Sequence, residues 1–510
     1  MSLPPLRLAE LVATLSIATD LGTGHPMERS LRACLLALQL GRALGCDEAT
    51  LADCYYVALL RYAGCAADAR HRAALFGDEI ALGPEIDMVE LWQLEPMLAF
   101  LHRHGFDRLP AAEYQALMAT GVQRSVEAAI GTCEVGQSLA GRLGLGPGVS
   151  RALGDMFERW DGRGVPGRAH GEAIALAARV VTIALDVELF YRVGGEEAVR
   201  TLLHGRSGGQ YDPAIATLLL ARPSLLEALG ATAPWDAALA QEPGPRPFIA
   251  EEALDEALRA VADFVDLRLP MMSGHSTAVA TLCIQAGARL GLREPELTIL
   301  RRAAYLHDLG TASVSVSVWE KAGPLSADEW ERVRLHAYYT ERVLLRAPAL
   351  VPLGRLAALH HERLDSTGYH RQCAAPQLGT AARVLAVAEA YCGMREPRAH
   401  RPALSPERSA AELRSAARDG QFDSVAVEAV LAAAGHPTPS RRAARPAGLS
   451  RREVEVLVLL ARGLTNREIG EQLVIAPATV DHHIRHIYAK IGCSTRIAAT
   501  LFAMEQQLVG

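Results

Sequence analysis

Lysine is almost missing from this chain: of 52 basic residues only Lys321 and Lys490 are lysines. Arginine carries the rest, a bias that reads as coding composition and not as function. The nine cysteines are scattered and odd in number, with no close CxxC pair. That excludes a disulfide framework and fits reduced, mostly buried thiols in a cytoplasmic protein. No uninterrupted run of about 18 apolar residues occurs, so no membrane-spanning helix is expected. Glu10 and Asp20 interrupt the only early apolar segment, which excludes a secretory layout. Strand-like alternation is rare as well. Its clearest case, Val314-Ser315-Val316-Ser317-Val318, is too short and isolated to build a sheet.

What is present suits a folded, multidomain protein. Half of the 510 residues are hydrophobic and 22% are charged, enough to bury sizeable cores and to exclude disorder over most of the length. At about 150 residues per domain, roughly three domains are expected. Charge is unevenly placed. Residues 441–510 hold ten Lys/Arg against six Asp/Glu, whereas the whole chain is at −6. A small basic end on an acidic body points to a polyanion partner for the end alone.

Residues 230–249 and 435–448 are rich in Pro, Ala and Gly and read as linkers. The rest shows apolar residues at three- and four-residue spacing, which predicts an all-α protein. The first two segments also look like copies of one unit. FERWDGRGVPG (157–167) followed by AARVVTIALDVE (177–188) parallels HERLDSTGYHR (361–371) followed by AARVLAVAEAYC (381–392). GGQYD (208–212) and DGQFD (419–423) then close each unit. The expected domains are 1–235, 250–435 and 448–510, the first two being copies of one helical unit.

The last segment reads as four short helices. Ser450 with Glu453 and Thr465 with Glu468 form capping-box signatures. Gly463 and Gly492 fit helix ends, and Pro477 fits a first turn. In the third helix Val480, Ile484, Ile487 and Ile491 share one face, with Ala478, His482 and Arg485 opposite and Asp481 beside them. An apolar inner stripe and a polar outer face after a tight turn are what a major-groove reader needs. This segment resembles the LuxR-type helix-turn-helix family over nearly its whole length. The resemblance implies double-stranded DNA as partner, with Asp481, His482 and Arg485 facing bases and Arg467, Thr479 and Lys490 on phosphates. Ala476 stands where the family often has a capping serine.

Residues 250–435 hold an unusual set of histidines. His275 opens one helical pattern, and His307-Asp308 ends another. His336 lies in a third, started by Ser326 and Glu329, and His360-His361 ends a fourth. A helical bundle could converge them. Imidazoles with a carboxylate suit Fe, Mn, Zn or similar divalent ions, and Asp308 could bridge two of them. A two-metal site activates water and clamps the oxygens of a phosphoryl group, which is the chemistry of phosphoester hydrolysis.

GHSTAVA, YLHDLGT, LHHERLDSTGYH and ARVLAVAEAY, in this order, resemble the HD-GYP family of metal-dependent phosphohydrolases, many of which cleave cyclic di-GMP. The resemblance implies His275, His307, Asp308, His336, His360, His361 and Glu389 as ligands of two divalent metal ions, with Asp308 as the catalytic residue. Glu389 replaces an aspartate of the family. Thr311 replaces a lysine expected near the substrate phosphate. The loop Asp365-Ser366-Thr367-Gly368-Tyr369-His370 loses a glycine and a proline, and Met271 replaces a glutamate that some members use for a third metal. In the first unit Arg61-Tyr62 and Met156-Phe157 replace the histidine pairs, and only His25 has a counterpart, in His275.

The expected architecture is therefore two tandem HD-type helical domains followed by a four-helix LuxR-type domain. The function expected first is that of a homodimeric DNA-binding regulator whose metal domain senses or hydrolyses a nucleotide such as cyclic di-GMP. The alternative is an active phosphodiesterase or phosphatase with an accessory DNA-binding tail.

Overall fold

Helices carry most of the described backbone, and β pairing among the described residues is limited to isolated bridges such as Arg7 with Phe248. The expected all-α class holds. The structure is a computed structural model, and it describes residues 4–89, 94–106, 111–437, 446–506 and 508–509. The Val314–Val318 alternation yields no strand; its second half winds into the short helix Val316–Trp319. None of the described helices is long and apolar enough to cross a membrane.

Residues Met1–His436 form one unit and Pro437–Gly510 another. The first is held by a core drawn from both of its halves. Leu11, Leu36 and Val181 lie in the same apolar cluster as Leu258, Leu306 and Leu353. Segment 230–249 differs from the expected linker, because it is packed into this body. Pro234 starts the helix Pro234–Ala240, Trp235 is buried, and Glu242 accepts a hydrogen bond from Tyr56 at 2.7 Å and pairs with Arg7. Leu8 N–H donates to Pro247 O and Ile249 N–H to Leu6 O, both at 2.9 Å. Proline at a first helical turn and a buried indole explain how a Pro/Ala-rich stretch becomes structure. Most of the second expected linker, residues 438–445, lies outside the described residues.

The halves of the first unit repeat four local devices. Asp20 accepts from the N–H and hydroxyl of Ser30, and Asp266 does the same for Ser276, each pair ten residues apart. Arg179 pairs with Asp212 at 2.6 Å, as Arg383 does with Asp423 at 2.5 Å. Glu158 accepts from the N–H groups of Gly167 and Arg168, and Glu362 from those of Arg371 and Cys373. Gly164 and Gly368 let each loop approach that glutamate: a Cβ would lie 2.5 Å from the Cα of Glu158 or of Glu362.

The second unit has the helices Arg451–Ala461, Asn466–Leu473, Pro477–Ile491 and Arg496–Glu505. Both expected capping boxes form. Gly463 and Gly492 take positive φ (88° and 68°), as helix ends require. Val480 and Ile487 pack fully into a core with Val456, Leu460, Ile469 and Ala499.

Candidate metal centre and helix-turn-helix domain

Four structural elements bring the sequence-selected histidines together. His275 is the first residue of helix His275–Arg289, and His307 caps Glu294–Leu306. His336 lies inside Ala327–Leu344, and His360 follows Val351–Ala357 after a turn. Gly310 explains how the His-Asp turn fits. A Cβ there would lie 2.0 Å from His336 O, so only glycine lets the turn press against the helix that carries His336. Thr340 locks the contact, accepting from Gly310 N–H at 2.8 Å and donating to His307 O at 3.0 Å.

Two clusters result, one of His275, His307 and Glu389, the other of His336, His360 and His361. Asp308 stands between them. Its Oδ2 lies 3.5 Å from His307 Nε2 and 3.7 Å from His275 Nε2, and its Oδ1 lies 3.5 Å from His360 and 3.6 Å from His336. All of these residues except His361 are buried, and His361 is partly so.

The donor set asks for cations. His307 Nδ1 donates to Ala304 O, His360 Nδ1 to Ala357 O and His336 Nδ1 to Val333 O, each three residues back. Those bonds fix the tautomer and leave Nε2 with a lone pair. In the neutral tautomers so fixed, the Nε2 atoms of His336 and His360 face each other at 2.9 Å as two acceptors. Two acceptors aimed at each other in a buried place repel unless a positive ion takes both lone pairs. His275 differs in that its Nδ1 meets Glu396 at 2.6 Å and its Nε2 meets Glu389 at 2.7 Å.

The electrostatics are polarised between the clusters. Burial disfavours the charge of His275, but Glu389 and Glu396 outweigh it and raise its pKa well above the usual range. Burial and the neighbouring His360 push His336 down to about 4. Burial opposes ionisation of Asp308 as well, yet His307 and His360 hold its carboxyl well below the usual carboxylate range. The bridging carboxylate is therefore ionised.

Several contributors carry no motif. Glu396 is absent from the sequence-selected set; it stands seven residues after Glu389, as the extended residue that caps the end of helix Thr380–Arg395. Arg398 steadies Glu396 at 2.9 Å. Thr311 is buried, and its hydroxyl donates to Asp308 O at 2.6 Å. It pins the turn that carries Asp308 and offers no cation to a phosphate. Tyr369 lies against His361 with ring centroids 4.6 Å apart, and burial raises its pKa so that it keeps its proton.

One expectation changes. His25 precedes helix Arg29–Ala43 and bonds Asp87 at 2.9 Å, whereas His275 begins its helix. The Asp–Ser devices place Arg29, not His25, at the position of His275. The shared Gly-His dipeptide misleads because the first half has four more residues between that glycine and the helix start.

In the second unit Arg467, Thr479, Asp481, His482 and Arg485 are all exposed. Arg485 and Asp481 pair at 2.7 Å along the outer face of helix Pro477–Ile491. Ala476 gives that helix no side-chain cap. Lys490 is drawn inward, its ammonium 2.7 Å from the buried Glu453, whose pKa falls to about 2: burial opposes the charge, and Lys490 and the Ser450 cap outweigh it.

Comparison with known proteins matches both domains. Residues 259–425 match the HD domain family, and residues 447–503 match the bacterial regulatory proteins of the luxR family. The chain is 28% identical over 414 residues to 3'3'-cGAMP-specific phosphodiesterase 3 of Vibrio cholerae, covering 79% of this chain and 90% of that protein. It is 30% identical over 183 residues to the cyclic di-GMP phosphodiesterase response regulator RpfG of Xanthomonas campestris, 36% of this chain and 48% of that protein. Its last part is 46% identical over 61 residues to the transcriptional regulatory protein LiaR of Bacillus subtilis, 12% of this chain and 29% of that one. A solved structure of a cyclic GMP-AMP specific phosphodiesterase of Vibrio cholerae shares the fold, with a TM-score of 0.59 at 24% identity over 85% of this chain and 99% of that chain.

Residues 259–425 thus form an HD-type domain whose buried histidine clusters are candidate metal sites. More particularly, the chain carries an HD-GYP-like HD domain, homologous to cyclic GMP-AMP phosphodiesterases, and a C-terminal LuxR-type helix-turn-helix domain.

Proposed function

We propose that the protein is a metal-dependent phosphodiesterase acting on a cyclic dinucleotide, and that its C-terminal domain binds double-stranded DNA. The observation that carries the first part is Asp308, set between two histidine clusters with one oxygen toward each. His275, His307 and Glu389 would hold one divalent ion, His336, His360 and His361 a second, and Asp308 would bridge them. Fe or Mn, and after them Zn, suit such a set. Such ions activate water and neutralise charge on a phosphoryl group. The chain's own residues orient the site. Three backbone carbonyls aim the imidazoles, Gly310 and Thr340 seat the turn, and protonated Tyr369 offers a hydroxyl donor beside His361.

Relatives named for cyclic GMP-AMP and cyclic di-GMP hydrolysis support the substrate class. The four repeated devices support reading 1–235 and 250–435 as two copies of one HD-type unit, the first without metal ligands. The free thiols of all nine cysteines and the DNA partner fit the cytoplasm.

A second reading has one observation in its favour. Thr311 supplies no cation where the HD-GYP resemblance expects a lysine, so a metal-loaded site that binds the nucleotide and signals to the DNA-binding domain is the competitor. Asp481, His482 and Arg485 would read bases, Arg467 and Thr479 would meet phosphates, and Lys490 would join them on leaving Glu453. Ile497, Leu501 and Met504 are exposed on helix Arg496–Glu505 at spacings of four and three. They form an apolar stripe suited to a second copy of the chain, and a twofold dimer suits a twofold operator. Hydrolysis of 3′,3′-cyclic GMP-AMP and cyclic di-GMP by the metal-loaded protein, with His307→Ala beside it, decides between the two. Turnover lost in the variant supports the phosphodiesterase. Nucleotide binding without turnover supports the sensor.

A further inference from the structure

The first half carries a cavity of about 150 Å³ where the second half keeps its histidine clusters. The sequence register fixes the correspondence. Arg61, Met156, Phe157 and Leu185 line it, standing at the positions of His307, His360, His361 and Glu389. Ligands have been exchanged for arginine and apolar groups, and positive charge has been kept. Behind the cavity, the buried guanidinium of Arg29 lies 3.2 Å from Glu188 and 3.5 Å from Asp87.

Several polar groups of the wall are uncommitted. Arg61 has no hydrogen-bond or ion-pair partner among the described residues, and its guanidinium rests on the Phe157 ring, 4.0 Å from the centroid. Arg72 lies 3.9 Å from Asp87, but among the described residues neither its Nε nor its Nη2 has a hydrogen-bond acceptor. His71 Nε2 and Asp68 Oδ1 are also buried without partners among the described residues. Asp68, His71 and Arg72 follow one another on helix Cys65–Phe76. Buried polar atoms rarely stay unpaired, and three residues with such atoms on one cavity wall, beside the unpaired Arg61, indicate a ligand that completes them.

We propose that this cavity binds a phosphate-bearing nucleotide. Arg61 and Arg72 would take the phosphate, Phe157 with the stacked Arg61 would form the flat wall for a base, and Asp68 would accept from base-edge N–H groups. Burial pushes the Asp68 carboxyl up to about 7, as expected of an acceptor that lacks its donor. The site is separate from the metal centre, and the inference does not depend on turnover there.

Calorimetric titration of the full chain with GMP, 3′,3′-cyclic GMP-AMP and inorganic phosphate tests it. GMP is expected to bind more tightly than phosphate, and to do so unchanged in His307→Ala, which also keeps one class of sites for the cyclic dinucleotide. Arg61→Gln, which breaks no ion pair, is expected to weaken that binding about tenfold or more. Asp68→Ala is expected to weaken nucleotide but not phosphate binding, with both variants melting near the native temperature. Nucleotide affinity unaltered in both variants, equal affinity for phosphate, or no binding by the folded chain would each overturn the proposal.

Discussion

Arg29 begins its helix in the first half as His275 begins its helix in the second. Each follows a residue with left-handed backbone, Glu28 at φ 72° and Gly274 at φ 78°, and each precedes a serine held by an aspartate ten residues back. In one half the position carries a fixed cation; in the other it carries an imidazole of the first histidine cluster.

That exchange has an energetic consequence. Removing Arg29 takes the most deeply buried cation from Asp87 and Glu188, leaving Asp87 with Arg72 at 3.9 Å and Glu188 with Arg192 at 3.3 Å. Breaking a buried pair from one side costs ~3–5 kcal/mol. Arg29→Ala is expected to lower the free energy of unfolding by that amount in urea titration, more than Arg70→Ala, whose exposed pair with Glu320 is of the kind worth ~0–1 kcal/mol.

The metal centre predicts a stability linkage. A cation that binds only the folded site stabilises it by mass action, ~2.7 kcal/mol at a hundredfold excess over Kd. Chelation is expected to lower the melting temperature of the native chain by several degrees and that of His336→Ala, which loses a ligand of one ion only, by less, as scanning calorimetry with and without EDTA would show.

The buried Asp20 predicts a pH dependence. Burial pushes its carboxyl up to about 7, against the opposing Ser30 hydrogen bonds and Arg29. The folded state thus holds this proton more tightly than the unfolded chain, whose carboxyl titrates near 4. The contribution is full below about pH 4 and is lost as pH rises to about 7. Asp20→Asn, which retains an acceptor for Ser30, removes it. Relative to the native chain, the variant is expected to gain stability across that window, by up to ~4 kcal/mol, read from unfolding curves at pH 5 and pH 8.

For the DNA-binding domain, Arg485→Ala is expected to cost ~1–3 kcal/mol in affinity for a specific site. Leu501→Asp is expected to cost the dimer on the exposed stripe, leaving the fold intact. Mobility-shift assays and analytical ultracentrifugation check the two separately.

Much of this was legible in the chain. Helical periodicity gave the all-α class, and capping boxes at Ser326, Ser450 and Thr465 marked real helix starts. Histidines placed at helix ends announced a converging site because few other roles suit so many buried imidazoles. Other features were hidden for physical reasons. Segment 230–249 has linker composition, yet Trp235 and Glu242 tie it down through partners more than a hundred residues away. Glu396 acts through His275, from a position with no motif. Arg29 replaces a ligand by charge and not by residue type, so a search for histidines passes over it.

The most direct measurement is metal content together with cyclic dinucleotide hydrolysis on one anaerobically purified sample, with His307→Ala in parallel. Near two ions per chain, turnover of 3′,3′-cyclic GMP-AMP or cyclic di-GMP, and a loss of more than ~100-fold in the variant are the results expected here. A folded native protein that holds no metal and hydrolyses neither nucleotide would contradict the account of Asp308 and its two histidine clusters.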